Sequence, residues 1–389
     1  VFNGFSQEAS DTSETHEWVR SLKECNGKLG LYGFSYQGFT QLTGELNSKP
    51  PDCLSPAMTG MNIKDHWCSD GGAYWWHNNI AWGLQIAALK MKKENNLLEW
   101  RKIRLALENQ SYLREGIEIL KKYDPNSFVL EWLKNLNNAC PFEEFEPIST
   151  WIKQPMLIIG GLWDPHLKGA FDLYKKSKEA GGTPEIIIGN ATHLNWWEGS
   201  QESLLKFFDK HLKSDKILKS QDIEKEKKIW NISLNKWEEL GNKFHPEFIF
   251  GLKSDGTANV EVEDGSLTIN SKGSGWFTIV NDPWRPTPSD GGHLGPNPGK
   301  FNRSIIDKRL DVAVFQTNSF KEDQYLRGVP TLEIQVKSDQ PNFDICLALS
   351  LVEEGDEKVN QFSTGFLRVK NSKISEECIY KITMQPTNI

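Results

Sequence analysis

The strongest constraint on the fold is an alternation of apolar strands and amphipathic helices in the middle of the chain. Residues 155–161 and 185–189 are short and continuously apolar, and each precedes a segment with helical spacing, at 167–180 and 200–213. Strands that alternate with helices in this way are typical of a parallel sheet covered on both faces. We therefore predict an α/β architecture for this part of the chain.

A second strand, turn and helix unit lies near the N-terminus. Residues 11–24 have helical spacing, with Ser10 or Ser13 as the predicted N-cap, and residues 28–32 form a short strand. The sequence Gly-Phe-Ser-Tyr-Gln-Gly follows at 33–38 and leads into a segment that is compatible with a helix to about residue 46. A sharp turn between strand and helix is therefore expected here.

The length of 389 residues exceeds what one hydrophobic core usually supports, so more than one domain is expected. Helical patterning from about residue 70 to 138 predicts an inserted bundle of helices. After a lysine-rich linker near 215–228, short alternating runs broken by Gly, Pro, Asn and Asp predict an antiparallel β-sandwich. Its predicted strands are 228–234, 267–270, 331–336, 345–351 and 361–369.

Composition excludes several classes of function. The net charge of -7 without a Lys/Arg stripe argues against a nucleic-acid partner, and no apolar run reaches the length of a membrane span. The six cysteines form no CxxC pair, so we expect reduced thiols, no metal site and no cofactor. The 15 tryptophans, with pairs at 75–76 and 196–197, are explained either by core packing or by the wall of a substrate pocket.

Ser35 is the strongest candidate for a nucleophile. A serine between a buried strand and a helix presents its hydroxyl above the sheet, and Gly33 and Gly38 allow the strand and the helix to approach closely. The spacing is GxSxxG, whereas the common elbow is GxSxG, because Gln37 stands where the second glycine would be. The alternative interpretation is a strand-to-helix turn with a helix-capping serine.

Two further residues follow predicted strands in the order that serine hydrolases of the α/β type use. Asp164 comes after the strand at 155–161, and His193 comes after the strand at 185–189. Taken singly, Asp164 fits a loop or helix-capping residue and His193 a surface histidine. His166 is the rival base, but it would begin a helix, so we favour His193.

Three phrases that contain these residues are similar to a known family. Residues 30–38 (GLYGFSYQG), 161–165 (GLWDP) and 188–196 (IGNATHLNW) resemble the three catalytic blocks of the cocaine esterase and X-Pro dipeptidyl-peptidase (CocE/NonD) hydrolases, whose elbow is GxSYxG. Downstream, Asp-Pro at 282–283, Gly-Gly at 291–292, Arg-Leu-Asp-Val at 309–312 and Asn-Phe-Asp at 342–344 resemble the jelly-roll domain of that family.

The resemblance implies a division of roles. Ser35 would be the nucleophile, Asp164 the orienting acid and His193 the general base, with the Tyr36 backbone N–H in the oxyanion hole. The helices would form a cap over the site. We predict that Trp75, Trp76, Trp82 and Trp163 line its substrate pocket. The predicted domains are an α/β-hydrolase domain in two parts (1–69 and 141–215), a helical cap (70–140) and a C-terminal β-sandwich (226–389).

The chain also departs from the family pattern. Only 34 residues precede Ser35, so the first strands of the hydrolase domain and the tyrosine that supplies the other oxyanion donor are not in the sequence. We therefore expect the chain to be part of a longer protein, cut at both ends. The predicted localisation is cytoplasmic, although an export signal would lie in the part that is not in the sequence.

The expected activity is cleavage of an ester or amide bond of a small acyl substrate. The alternatives are an X-Pro dipeptidyl-peptidase or α-amino-acid ester hydrolase, in which Asp65 or Asp70 would hold the substrate ammonium group, and a non-catalytic binding protein on a degenerate scaffold. Since Gln37 is neutral and acidic residues such as these are usually solvated, we favour an uncharged acyl group. The predicted partner is a small ester, amide or peptide substrate, with homo-oligomer formation left open.

Overall fold

The computed structural model describes residues 4–138, 145–213, 226–241, 248–353, 355 and 357–389. Its helices are α1 (Glu8–Ser21), α2 (Tyr36–Thr40), α3 (Trp76–Lys93), α4 (Leu97–Glu108), α5 (Tyr112–Tyr123), α6 (Phe128–Asn138), α7 (Ser149–Ile152), α8 (Leu167–Glu179) and α9 (Ser200–Leu212), with a π-helical turn at Lys64–Cys68 and a 3-10 turn at Ile306–Lys308. Cys140 and most of the lysine-rich linker lie outside the described residues.

The strands divide between the two halves of the chain. The first eight are β1 (Gly30–Phe34), β2 (Cys53–Ala57), β3 (Ser69–Asp70), β4 (Ala73–Tyr74), β5 (Leu157–Trp163), β6 (Glu185–Thr192), β7 (Lys227–Asn231) and β8 (Lys236–Glu239). The others are β9 (Phe250–Gly256), β10 (Ser266–Ile269), β11 (Ser274–Phe277), β12 (Phe301–Asn302), β13 (Arg327–Gly328), β14 (Thr331–Lys337), β15 (Phe343–Leu351), β16 (Asn360–Val369), β17 (Glu377–Thr383) and β18 (Thr387–Asn388).

The N-terminal half is built on a six-stranded sheet with the order β1-β2-β5-β6-β7-β8. All neighbouring pairs in it are parallel except β7 with β8. Alternate residues of β5 face opposite sides: Ile158 packs in a core with Leu173 of α8, and Ile159 packs in another with Phe207 of α9. Because both of its faces are covered, β5 is apolar and buried along its whole length, as the sequence predicts for a strand of a parallel sheet.

The assignment of residues 228–234 to the sandwich is wrong. Strand β7 pairs in parallel with β6, and β8 folds back against β7, so both extend the first sheet. The alternation of apolar and polar residues identifies a strand, but it carries no information about which sheet edge the strand joins. Pairing along β6 satisfies backbone groups that an open sheet edge would leave unpaired.

The boundaries of two N-terminal helices also differ from expectation. Helix α1 begins at Glu8 with Gln7 in the N-cap position, and the hydroxyl of Ser13 accepts a hydrogen bond from the backbone N–H of Glu45 instead of capping the helix. Helix α2 ends at Thr40, and a Cβ on Gly44 would lie 2.2 Å from the ring of Trp151. Ser13 and Gly44 are thus both engaged in contacts with segments that are distant in sequence.

Helices α3 to α6 share one core, which also includes Phe39, Ile63 and Trp67 from the segment that follows Ser35. A two-stranded hairpin, β3 with β4, leads into α3. The helical segment therefore packs directly against the chain that carries Ser35.

The C-terminal half is all β. It contains the sheets β10-β9-β11, β12-β16-β15, β14-β17 and β13-β18, which are antiparallel apart from the β9 and β11 pair. The predicted combination of an α/β domain with a following β domain is thus confirmed. None of the described helices has both the length and the apolar character needed to cross a bilayer.

Candidate active site

Ser35 lies on a strained turn between β1 and α2. Its backbone angles are φ 59° and ψ -128°, in a region that residues other than glycine rarely adopt, and its N–H donates to the carbonyl of Ala57 at 2.9 Å. A Cβ on Gly33 would lie 2.7 Å from the Cβ of Gln37, and a Cβ on Gly38 would lie 2.9 Å from the Ala57 carbonyl oxygen. The turn therefore requires glycine at both positions, and the Ser35 side chain makes no helix-capping hydrogen bond.

The structure brings Ser35, His193 and Asp164 into one chain of hydrogen bonds. His193 Nε2 lies 2.9 Å from Ser35 Oγ, and His193 Nδ1 lies 2.5 Å from Asp164 Oδ2. Asp164 follows β5 directly, and His193 follows β6. Since β1, β5 and β6 run in parallel, their carboxyl ends meet at one edge of the sheet and place the three side chains together.

Asp164 is fully buried, and both of its carboxylate oxygens are hydrogen-bonded. Oδ2 accepts from His193, and Oδ1 accepts from the backbone N–H of His166 at 2.8 Å. Burial by itself raises the pKa of Asp164, but the charge and hydrogen bond of His193 outweigh it, so the pKa is lowered. An ionised carboxylate only accepts, so His193 carries a proton on Nδ1 and its Nε2 accepts from the Ser35 hydroxyl.

Burial and Asp164 have opposite effects on the pKa of His193. Burial lowers the pKa of the imidazole, whereas the charge and hydrogen bond of Asp164 raise it, and the net shift is upward. The side chain of His193 remains 27% exposed, whereas that of Asp164 is inaccessible. The imidazole is thus held by a buried carboxylate and still borders space open to solvent.

His166, the rival base, is hydrogen-bonded elsewhere. Its Nδ1–H donates to the backbone carbonyl of His66 at 2.6 Å, and its ring lies 4.3 Å from the ring of Trp67 between centroids. Burial lowers the pKa of His166 to about 4, so it is neutral at pH 7. The ring centroids of His166 and His193 are 5.3 Å apart, but it is His193 that contacts Ser35 Oγ.

Two of the four predicted pocket tryptophans lie beside residues of this region. The ring of Trp75 is 5.5 Å from that of His166, and the ring of Trp82 is 6.0 Å from that of Tyr36, which follows Ser35 directly. Both belong to the helical segment, since Trp75 is the N-cap of α3 and Trp82 lies within it. The helical segment thus supplies aromatic surface next to the site.

The other two tryptophans have different surroundings. Trp163 is buried at the end of β5 and donates its indole N–H to Asn190 Oδ1 of β6 at 2.7 Å, which ties together the strands that precede Asp164 and His193. Trp76 is 37% exposed and donates its indole N–H to the carbonyl of Leu113 in α5. Trp163 therefore belongs to the sheet, and Trp76 lies on the outside of the helical segment.

Sequence reasoning missed three aromatic residues near the site. The ring of Phe34 lies 5.6 Å from that of His193, and Trp196 packs against Phe34 and donates its indole N–H to the His193 carbonyl at 3.2 Å. Trp67 lies next to both His166 and Tyr36. Phe34 and Trp196 stand within the quoted motifs, which could have identified them, whereas Trp67 has no comparable signal.

Tyr36 is the predicted donor to the oxyanion through its backbone N–H. Its side chain is engaged elsewhere, because the hydroxyl donates to Glu8 and accepts from the backbone N–H of Phe5 at 2.7 Å. Burial and the hydrogen bond to Glu8 raise the pKa of the phenol. Since the Ser35 N–H is bonded to Ala57, the next backbone N–H along α2 is that of Tyr36.

Of the two predicted ammonium-binding carboxylates, Asp70 is already paired. It is 4% exposed, and its two oxygens contact Lys168 Nζ at 2.5 Å and His293 Nε2 at 3.0 Å. Asp65 is exposed at the π-helical turn. Across the part of the chain that the structure describes, no three His, Cys, Asp or Glu side chains are grouped to hold a metal ion.

The sheet, the strand-end residues and the following β domain define an α/β-hydrolase with a C-terminal β domain. Comparison with known proteins gives the particular family: the family model for X-Pro dipeptidyl-peptidase (S15 family) matches residues 1–195, and that for the X-Pro dipeptidyl-peptidase C-terminal non-catalytic domain matches residues 231–386. The chain belongs to the S15 family, in agreement with the CocE/NonD resemblance of its motifs.

A curated relative is the cocaine esterase of Rhodococcus sp. (strain MB1 Bresler). It is 21% identical over 381 residues, an alignment that covers 87% of this chain and 65% of the relative. The chain therefore spans less than two thirds of the length of that protein.

Proposed function

We propose that the chain carries the active site of a serine hydrolase that cleaves an ester or amide bond through an acyl-enzyme. The observation that carries this proposal is the continuous hydrogen-bond chain from Ser35 Oγ through His193 to the buried Asp164, with distances of 2.9 Å and 2.5 Å. Membership of the S15 family and the similarity to a cocaine esterase support it.

In the proposed mechanism, Ser35 Oγ attacks the substrate carbonyl while His193 Nε2 takes the hydroxyl proton. Asp164 fixes the imidazole with its proton on Nδ1 and stabilises the imidazolium that forms. The imidazolium then returns the proton to the leaving alcohol or amine, and a water molecule activated by His193 releases the acyl group. The backbone N–H of Tyr36 is assigned to the oxyanion hole, where one donor contributes about 100- to 1000-fold in kcat.

For the substrate, we propose an uncharged acyl group. An α-amino-acid ester or X-Pro peptide presents an ammonium group, which requires an unpaired carboxylate near Ser35. Asp70 is committed to Lys168 and His293, and Gln37 is neutral. The aromatic rings of Phe34, Trp75 and Trp82 suit an apolar or aromatic acyl group instead.

Labelling with a fluorophosphonate probe tests the proposal. The serine oxygen attacks the phosphorus of the probe and displaces fluoride, which leaves a phosphonate ester on an activated serine. The probe should therefore label the wild-type protein at Ser35 and leave Ser35→Ala unlabelled. Hydrolysis of a small aryl ester should be lost in the same variant. Ser177→Ala is the matched control, because Ser177 is buried in α8 and its hydroxyl donates to the Ile152 carbonyl, remote from the proposed chemistry.

Two outcomes would contradict the hydrolase proposal, and a third would contradict only the substrate assignment. A wild-type protein that is folded but neither labelled nor active towards ester or amide substrates would favour the non-catalytic binding protein. Equal labelling of Ser35→Ala and wild type would show that Ser35 is not the nucleophile. If X-Pro peptides are cleaved faster than uncharged aryl esters, the substrate assignment fails while the hydrolase assignment stands.

A further inference from the structure

A second buried charge cluster lies apart from the Ser35, His193 and Asp164 chain. Asp70 Oδ1 contacts Lys168 Nζ at 2.5 Å, Asp70 Oδ2 contacts His293 Nε2 at 3.0 Å, and His293 Nδ1 contacts Thr364 Oγ1 at 2.9 Å. The side chains of Asp70 and His293 are 4% and 1% exposed, and that of Lys168 is 25% exposed. The sequence motifs for the reaction do not account for this cluster.

The protonation states of Asp70 and His293 follow from burial and from their hydrogen-bond partners. Burial raises the pKa of Asp70, but the hydrogen bonds and charges of His293 and Lys168 outweigh it, and the pKa is lowered. Burial lowers the pKa of His293 despite Asp70. An ionised Asp70 therefore accepts from Lys168 and from His293 Nε2–H, and the neutral imidazole accepts at Nδ1 from the Thr364 hydroxyl.

The cluster joins three parts of the molecule. Asp70 belongs to the β3–β4 hairpin that leads into the helical segment, Lys168 to the first turn of α8, and His293 and Thr364 to the C-terminal domain. The hairpin lies directly against β16, because the Gly71 carbonyl accepts from the Arg368 N–H at 2.9 Å. One carboxylate thus receives hydrogen bonds from two domains.

Lys168 connects the cluster to the Asp164 turn. The backbone carbonyl of Asp164 accepts from the N–H of Leu167 at 3.2 Å, and its carboxylate accepts from the N–H of His166. Residues 164–168 are therefore one hydrogen-bonded turn, with the carboxylate that orients His193 at one end and the ammonium group held by Asp70 at the other.

We propose that Asp70, Lys168 and His293 form an interdomain clamp, in which they are positioning residues that hold the Asp164 turn against the β3–β4 hairpin. This inference rests on the proposed hydrolase function. The C-terminal domain then contributes to the reaction without touching the substrate. A displacement of Asp164 alters the orientation of His193, and errors of this kind lower turnover by up to about 100-fold.

The experiment compares His293→Phe, which removes the donor to Asp70 and the acceptor for Thr364, with His293→Gln, whose amide retains a donor and an acceptor. The matched control is Arg327→Gln. Arg327 also bridges the C-terminal half and the first sheet, through a 2.8 Å ion pair with Glu238 of β8, but it does not contact the Asp164 turn. Lys168→Gln is the second variant, and it should fold because this side chain is partly exposed.

In His293→Phe and Lys168→Gln, kcat for an aryl ester and the rate of fluorophosphonate labelling should fall about 10- to 100-fold, while KM changes less than about twofold. His293→Gln should recover most of the rate, and Arg327→Gln should resemble wild type. We expect the proton in the short His193–Asp164 hydrogen bond to give a far-downfield resonance in the proton NMR spectrum. This resonance should move in His293→Phe and Lys168→Gln only.

The clamp is overturned if both impaired variants keep kcat within about twofold of Arg327→Gln, or if kcat falls without a change in that resonance. A wild-type protein without labelling or hydrolysis would instead refute the proposed function. The clamp can still be tested in that case by the resonance of the His193–Asp164 proton. A shift of this resonance in His293→Phe but not in Arg327→Gln supports the clamp, and no shift in His293→Phe refutes it.

Discussion

Replacement of Asp164 by asparagine should nearly abolish turnover while leaving the fold intact. One carboxylate oxygen of Asp164 accepts from the His166 N–H at 2.8 Å, so the amide oxygen of an asparagine must take that position. The amide NH2 then faces His193 Nδ1, which becomes an acceptor, and the imidazole proton moves to Nε2. A protonated Nε2 cannot take the proton of Ser35.

The expected loss is about 10⁴-fold in kcat, or about 5.5 kcal/mol in the activation free energy. The pH profile should change as well. In the wild type the pKa of His193 lies above 6.5, so kcat/KM should rise as the pH increases through a value above 6.5. Without the carboxylate, burial alone acts on His193 and lowers its pKa, so the acid limb of the residual activity should move to lower pH.

Stopped-flow hydrolysis of an aryl ester between pH 5 and about 9 measures both effects, since His193 titrates in this range. Asp172→Asn is the matched control, because Asp172 Oδ2 also contacts a histidine, His66 Nε2 at 2.9 Å, but is 58% exposed. It should stay within about twofold of wild type. A folded Asp164→Asn protein with more than about a tenth of the wild-type kcat would refute the orienting role of the carboxylate.

Three further predictions concern the surroundings of the site. Gly161→Ala should destabilise the protein by about 1–3 kcal/mol, measured by denaturant unfolding, because its Cβ would lie 2.4 Å from the Ala191 carbonyl oxygen; an unchanged midpoint would contradict this. His166 has a pKa of about 4 in the folded state and near 6.5 in the unfolded chain, so the unfolded chain takes up the proton first as the pH decreases. The free energy of unfolding therefore falls between pH 6.5 and pH 4. In His166→Asn this fall should be smaller by about 3 kcal/mol. Trp82→Ala should raise KM for an aryl ester more than Trp76→Ala, since Trp82 lies beside Tyr36 and Trp76 bonds to α5; equal KM values would argue against the aromatic pocket.

The relative placement of Ser35, Asp164 and His193 could be predicted because it follows from sheet topology. Parallel strands end at the same edge, so residues that directly follow β1, β5 and β6 lie close together whatever their separation in sequence. Strands β5 and β6 are detectable because burial on both faces makes them largely apolar, whereas β1 is a partly exposed edge strand that is recognised together with the turn that follows it. The hydrogen-bond chain thus rests on features that are local in sequence.

The environment of Asp70 could not be predicted in this way. Its partner His293 is 223 residues away in another domain, and nothing in the local pattern around Asp70 distinguishes a solvated acid from one buried against an imidazole. The same reason explains the error at β7, whose residues fit either a sandwich or the edge of the first sheet. Pairing between distant segments depends on packing, which short-range periodicity does not encode.

His166 and His193 show how packing assigns different roles to neighbouring residues of one type. Their ring centroids are 5.3 Å apart, yet the pKa of His193 is raised and that of His166 is lowered to about 4. Burial lowers the pKa of both rings, but the Asp164 carboxylate is hydrogen-bonded to the ring of His193 and only to the backbone N–H of His166, so its effect outweighs burial at His193 alone. A histidine whose charged form is stabilised by a carboxylate can accept and return a proton, whereas one kept neutral by burial serves as a fixed hydrogen-bond donor. The carboxylate geometry therefore selects His193 as the proposed base, and it assigns His166 to the support of the turn.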